Sequence, residues 1–149
     1  MEIMLTINNQ KRKLLIEPDE FLLETLRKAG IKSVKRGCDT TSCGVCSISV
    51  DNKLVNSCSY YTIRAVGKEI LTVEGISEEA GRIADFITAE GAEQCGFCSP
   101  GLVMAIYTMK NELKEFNLES IKHYLAGNYC RCSGYEGQHR AILKYLEVK

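Results

Sequence analysis

The segment RGCDTTSCGVC, residues 36–46, constrains the fold of this chain more than any other stretch. It contains Cys38, Cys43 and Cys46 in the spacing C-x4-C-x2-C, and Cys58 follows further along. This is the ligand spacing of plant-type [2Fe-2S] clusters. Two irons share bridging sulfides in such a cluster, so each iron still needs two protein thiolates. The spacing therefore predicts a [2Fe-2S] cluster bound by these four cysteines, which we call the first set.

A loop that wraps such a cluster has to turn sharply while its backbone N–H groups approach the sulfurs. Gly37 and Gly44 lie within this loop. Glycine reaches positive φ without a steric penalty and lets the backbone come close to other atoms. We therefore expect both glycines to shape the loop around the first set.

Four further cysteines form a second set with the pattern C-x2-C-x31-C-x-C. Its members are Cys95, Cys98, Cys130 and Cys132. Each pair falls in a predicted loop between helices, so the pattern brings two loops together at one end of a helical region. Four thiolates that meet there would hold a second [2Fe-2S] cluster and would join helices that are otherwise tied only by apolar contacts.

Eight cysteines also allow two other interpretations. An even number of cysteines is typical of disulfide-rich secreted domains. The first residues, MEIMLTINNQKRK, contain no apolar signal core, so we expect a cytoplasmic protein in which disulfides are rare. Structural zinc is the better alternative because C-x2-C occurs twice. The x4 spacing in the first set and the C-x-C pair in the second fit zinc sites poorly, so a zinc-stabilised binding module is the less favoured interpretation.

Hydrophobic periodicity predicts a mixed α+β arrangement for residues 1–76. The predicted elements are a helix over 21–29 and strands near 3–7, 14–16, 47–50, 53–55 and 69–73. Asn8-Asn9 and Asp51-Asn52 are turn signals between paired strands. Two strands, a helix packed across them and later strands fit a small mixed sheet that holds one helix.

After Gly75 the hydrophobic period changes from two to about 3.6, which predicts four short amphipathic helices in residues 77–149. Ser99 is a candidate N-cap of the second of these helices, and Asn117 is a candidate N-cap of the third. Helices of this length are not stable alone, so we expect them to share a core as a four-helix bundle.

Composition and motifs exclude several function classes. The 149 residues include 19 basic and 19 acidic residues, and the absence of a basic excess argues against nucleic acid or an anionic membrane as the main partner. The sequence has no G-x-S-x-G elbow, no G-x-G-x-x-G fingerprint and no P-loop. We therefore expect no hydrolase chemistry, and we expect any flavin to be bound by another chain. His123 and His139 are not expected to be ligands, because the cysteines already form two complete sets.

The two segments around the second set carry the most specific signal. EQCGFCSPGLVMAIYTM and GNYCRCSGYEGQHRAI resemble the two signatures of the iron–sulfur subunits of molybdenum hydroxylases, the family of xanthine dehydrogenase, aldehyde oxidoreductase and carbon monoxide dehydrogenase. The resemblance covers the whole chain and all eight cysteines in order. It implies a plant-type ferredoxin-like β-grasp domain over residues 1–76, followed by a [2Fe-2S]-binding helical bundle domain over residues 77–149.

The resemblance also implies how the chain works in a complex. A separate large subunit would bind the molybdopterin cofactor next to the second set, and a medium subunit would bind FAD on the side of the first set. The chain would pass electrons from the molybdenum site toward FAD without being catalytic itself. Gln94 matches a family glutamine that hydrogen-bonds the pterin, and Cys132 matches the cysteine whose sulfur approaches the pterin amino group.

One departure from the family pattern bears on the substrate. Xanthine dehydrogenases commonly carry glycine where this chain has Thr41-Ser42, and the form CDTTSCG is more similar to the carbon monoxide and N-heterocycle branches. The substrate of the complex is therefore expected to be an aldehyde, a purine or other N-heterocycle, or carbon monoxide. The main alternative is a free-standing two-cluster electron carrier that docks transiently with its partners.

Overall fold

A five-stranded mixed sheet forms the first half of the chain in the computed structural model, which describes residues 1–148. The strands are β1 (Glu2–Ile7), β2 (Gln10–Leu15), β3 (Ser47–Val50), β4 (Lys53–Asn56) and β5 (Glu69–Leu71). Their order across the sheet is β2-β1-β5-β3-β4. The pairing of β1 with β5 is parallel, and the other three pairings are antiparallel.

The two predicted hairpin turns are present. Asn8 and Asn9 both have positive φ, and so do Asp51 and Asn52. Two-residue hairpin loops favour this conformation because its twist matches that of the flanking strands. Strand β5 ends at Leu71, earlier than predicted, because the chain turns away from the sheet after that residue.

Helix α1 (Leu22–Lys28) packs across the sheet. Its Leu22, Leu23 and Leu26 are buried in one cluster with Leu5 and Ile7 of β1. A mixed sheet that holds one helix in this way confirms the predicted ferredoxin-like β-grasp fold.

Four helices form the second half, as predicted. They are α2 (Ser77–Ala89), α3 (Ser99–Glu112), α4 (Leu118–Tyr124) and α5 (Glu136–Tyr145). Their core includes Ile83, Ile106 and Ile142, all of which are almost fully buried. A hydrophobic residue from each helix reaches this shared core, which explains how helices as short as α4 are stable here.

One of the two predicted helix caps is correct. Asn117 accepts a 2.9 Å hydrogen bond from the backbone amide of Ser120, which completes a capping box at the start of α4. The prediction that Ser99 caps α3 is wrong, because Cys98 occupies the cap position and Ser99 is the first helical residue. The Ser99 hydroxyl donates instead to the carboxylate of Glu93, at 3.2 Å.

The two halves pack directly against each other. Helix α3 contacts β3 and β4, and Leu54 and Leu71 of the sheet reach the helical core. The division of the chain at residues 76 and 77 stays a prediction. None of the helices described in residues 1–148 is long and apolar enough to cross a membrane.

Candidate metal centres

The first cysteine set lies at the edge of the sheet. Cys38, Cys43 and Cys46 are in the loop between α1 and β3, and Cys58 is in a short 3-10 turn after β4. The Cys43 thiol lies close enough to Cys38 to affect its pKa, and the Cys46 thiol lies close enough to Cys58 to do the same. The four thiols of the first set therefore lie near one another.

The backbone N–H of Cys43, together with the Cys43 thiol and the N–H of Thr40, lowers the pKa of Cys38 to about 6. Burial has the opposite effect on Cys58, whose pKa rises to about 12. N–H groups that stabilise a thiolate also suit the anionic sulfurs of an iron–sulfur cluster.

The two loop glycines are needed for different reasons. A side chain at Gly37 would lie 3.0 Å from the Cys43 sulfur, so this glycine makes room for a ligand. Gly44 has a φ of +69°, and a Cβ there would lie only 2.2 Å from the carbonyl oxygen of Gly127. The second glycine thus allows the first-set loop to touch the helical half of the chain.

The second set joins two loops of the helical half. Cys95 and Cys98 precede α3, while Cys130 and Cys132 lie between α4 and α5. The sulfurs of Cys95 and Cys132 are 3.6 Å apart, and the thiols of Cys98 and Cys130 lie close enough to affect each other's pKa. Two thiolates bound tetrahedrally to one metal at about 2.3 Å lie about 3.8 Å apart, so the Cys95–Cys132 separation suits two ligands of one metal.

The two pairs of the second set differ in exposure. Cys95 and Cys132 are at the surface, whereas Cys98 and Cys130 lie deeper. Burial raises the pKa of Cys98 to about 12. Burial also acts to raise the pKa of Cys130, but hydrogen bonds from Ser133 outweigh it and lower that pKa to about 7.

The arrangement of thiols fits two [2Fe-2S] clusters. All eight cysteines are free in this structure. A two-iron cluster needs two thiolates on each of its two irons. The Cys95–Cys132 separation matches two thiolates on one iron.

Gln94 and Cys132 meet at the surface of the second set. The Gln94 side-chain amide donates a 3.2 Å hydrogen bond to the Cys132 carbonyl. The two residues predicted to face a pterin are thus neighbours, although they are 38 positions apart. The role of each toward a pterin remains a prediction.

Exposed aromatic side chains surround the second set. Phe97, Tyr129 and Tyr135 are 45%, 51% and 37% exposed, and we call them the aromatic rim. All three line a cavity of about 350 Å³ that also reaches cysteines of both sets. Large exposed aromatic rings around a polar centre are typical of a surface that a partner covers.

A direct connection between the two sets was not predicted. The backbone N–H of Tyr129 donates a 2.9 Å hydrogen bond to the carbonyl of Cys43. The neighbouring Asn128 is buried and contacts the same loop. In the sequence, the only sign of this contact is the asparagine two residues before Cys130, and local patterns alone would assign that asparagine to a turn.

His123 and His139 lie within α4 and α5, outside both cysteine loops.

Two family models match the two halves of the chain. The "2Fe-2S iron-sulfur cluster binding domain" matches residues 5–70, and the "[2Fe-2S] binding domain" matches residues 72–143. Each matched range contains one complete cysteine set.

Similar proteins cover nearly the whole chain. The xanthine dehydrogenase iron–sulfur-binding subunit of Escherichia coli O157:H7 is 42% identical over 135 residues, which is 88% of this chain and 85% of that protein. The nicotinate dehydrogenase small FeS subunit of Eubacterium barkeri is 32% identical over 97% of this chain and 94% of its own length. In the crystal structure of quinoline 2-oxidoreductase from Pseudomonas putida 86, one chain superposes with a TM-score of 0.87 at 34% identity, covering 95% of this chain and 90% of that one.

Proposed function

Because the chain belongs to the iron–sulfur small subunits of the molybdenum hydroxylase family, we propose that it passes electrons from a molybdenum site on a large subunit toward FAD on a medium subunit. It carries two [2Fe-2S]-binding domains and is a component of an oxidoreductase complex.

The eight cysteines are the proposed cluster ligands. The observation that carries this assignment is that separate loops bring the members of each set together, with the Cys95 and Cys132 sulfurs 3.6 Å apart. When bound, each cluster would accept and release one electron. The protein holds the ligands in place, supplies N–H groups to the sulfurs, and partly buries both sets, and these features adjust the reduction potential of such clusters.

The second set is proposed to face the molybdopterin cofactor of the large subunit. Its Cys95 and Cys132 are exposed, so a cofactor held by a partner can approach them closely. The side-chain nitrogen of Gln94 donates a hydrogen bond to the Cys132 carbonyl. Its side-chain oxygen takes no part in that bond, so Gln94 would accept a hydrogen bond from the pterin or donate one to it. The aromatic rim would become buried when the large subunit docks.

The first set is proposed to face the FAD of the medium subunit. The loop residues 39–42 between Cys38 and Cys43 are all exposed, whereas Cys46 and Cys58 are buried against the core. A partner that covers this loop would come close to Cys38 and Cys43. The chain would thus present one cysteine set to each partner.

An N-heterocycle is the proposed substrate class of the complex, with an aldehyde and carbon monoxide as the remaining candidates. Relatives named for xanthine, nicotinate and nicotine support an N-heterocycle, and so does the Thr41-Ser42 departure. Substrate would bind to the large subunit, next to the molybdopterin cofactor. We propose a cytoplasmic complex, in keeping with eight free cysteines.

Purification of the tagged chain from cells that express its partners tests the proposal. We expect two larger subunits, molybdenum and FAD to co-purify. After anaerobic reduction with dithionite, electron paramagnetic resonance should reveal two distinguishable iron–sulfur signals, each near one spin per chain. A colourless sample with stoichiometric zinc would establish a zinc-binding module instead, and two signals without partners would establish a free carrier.

A further inference from the structure

Asn128 is a buried polar residue at the contact between the two cysteine loops. Only 9% of its surface is exposed. Its side-chain amide donates to the carbonyl of Gly44 at 3.3 Å and lies 3.4 Å from the hydroxyl of Ser47. Both acceptors belong to the segment that carries Cys43 and Cys46, and Asn128 itself precedes Cys130 by two residues.

Glycines, which have no side chain, allow the backbones to lie very close together at this contact. A Cβ at Gly44 would lie 2.2 Å from the Gly127 carbonyl, and one at Gly101 would lie 2.5 Å from the Gly44 carbonyl. Gly101 is in the first turn of α3, three residues after Cys98. Three backbone segments, each within three residues of a cysteine ligand, therefore touch without intervening side chains.

Hydrogen bonds also hold this contact in place. The Tyr129 amide is bonded to the Cys43 carbonyl, and the Asn128 side chain occupies the adjacent carbonyl of Gly44. Ser47, the other acceptor, is 4% exposed. Separating the two loops would leave these buried polar groups without hydrogen-bond partners, which costs free energy. The loops therefore have one favoured relative position.

We propose that Asn128 is a positioning residue for electron transfer between the two centres: its amide locks the first-set loop onto the second-set loop and so sets the distance between the clusters. Electron transfer between buried centres weakens steeply with separation, so a fixed short distance benefits the reaction directly. The inference rests on the proposed binding of two clusters. It goes beyond it by assigning this role to a residue that binds neither cluster.

Two substitutions at Asn128 test the role. Asn128→Ala removes the donor and leaves a gap, whereas Asn128→Asp keeps the shape but cannot donate to the Gly44 carbonyl. The matched control is Asn117→Ala, which removes an asparagine hydrogen bond at the start of α4 and away from both cysteine loops. All variants are compared with the wild-type chain in the assembled complex.

The informative measurement is the magnetic interaction between the two reduced clusters in the electron paramagnetic resonance spectrum at low temperature. We expect both Asn128 variants to keep two signals per chain but to lose part of the splitting between them, and to transfer electrons between the clusters more slowly in rapid-mixing experiments. The Asn117→Ala spectrum should match the wild type.

The outcomes separate this inference from the proposed function. Absence of both signals in the wild-type chain would contradict the proposed function. Two signals with unchanged splitting in both Asn128 variants would overturn the positioning role alone. If Asn128→Ala loses a cluster, the Ser47→Ala variant provides the test, because it keeps the asparagine and removes one of its acceptors. A smaller loss of splitting in Ser47→Ala would support the positioning role, and an unchanged spectrum would overturn it.

Discussion

The backbone amide of Tyr129 and the carbonyl of Cys43 are joined by a 2.9 Å hydrogen bond. Cys43 belongs to the first cysteine set, and Tyr129 directly precedes Cys130 of the second. One hydrogen bond and one peptide unit therefore connect the two proposed cluster sites. The two halves of the chain meet at this contact.

Substitution of one ligand in the first set should leave the second set intact. We predict that Cys43→Ser removes the first cluster while the helical half keeps its own, because the backbone carbonyl that bonds Tyr129 is unchanged. Iron per chain should fall by half, and one of the two paramagnetic signals should disappear. The mirror variant Cys98→Ser should remove the other signal. Loss of both clusters in Cys43→Ser would contradict the two-domain assignment.

Gln94→Ala should weaken retention of the pterin in the assembled complex. The side chain is exposed, and within residues 1–148 it bonds only the Cys132 carbonyl, so its loss should leave iron content and folding unchanged. We expect a lower molybdopterin content after purification and slower turnover. Gln10→Ala, on the exposed strand β2, is the control. Wild-type pterin content and turnover in Gln94→Ala would exclude the proposed role.

Gly44→Ala should destabilise the protein more than Gly67→Ala. Both glycines have positive φ, at +69° and +78°, so alanine is strained at either position. Nothing lies within 4 Å of a Cβ at Gly67, whereas one at Gly44 would overlap the Gly127 carbonyl. We expect a loss of about 1 kcal/mol at Gly67 and about 3 kcal/mol or more at Gly44. Thermal unfolding of the two variants checks this, and equal melting temperatures would refute the close contact between the loops.

The carboxylate of Glu20 should stabilise the fold in a pH-dependent way. Burial acts to raise the pKa of Glu20, but 2.7 Å hydrogen bonds from Lys28 and Thr25 outweigh it and lower that pKa below its ordinary value of 4.5. A lowered pKa in the folded state means that the stabilisation is full above pH 4.5 and is lost as the pH falls through the folded value.

Comparison of Glu20→Gln with the wild type measures this contribution. We expect the variant to be less stable by about 1 kcal/mol at pH 7, and the difference to shrink below pH 4.5. Glu2→Gln is the control, since Glu2 pairs with Lys13 on the open surface and should matter little. The same difference at pH 7 and pH 4 would mean that the Glu20 charge does not contribute.

Much of the fold could be predicted from local sequence. Asn8-Asn9 and Asp51-Asn52 form the expected hairpin turns because each turn depends on the φ preferences of two adjacent residues. Asn117 caps α4 through a residue only three positions away. The predicted Ser99 cap is wrong because the Ser99 hydroxyl donates to Glu93 instead. The position of Glu93 depends on how the loop before α3 folds, which local sequence does not reveal.

The cysteine spacings by themselves predicted cluster chemistry for this protein, since a cluster loop needs its thiolates at short fixed intervals along the chain. Only the tertiary structure decided which sulfurs pair, which pair reaches the surface, and how the two sets meet. Gly44 and Asn128 are 84 positions apart, and no local preference of either residue encodes their hydrogen bond. Such contacts depend on how the two halves pack, as in the contact of α3 with β3 and β4, and this packing is not encoded in any local stretch of sequence.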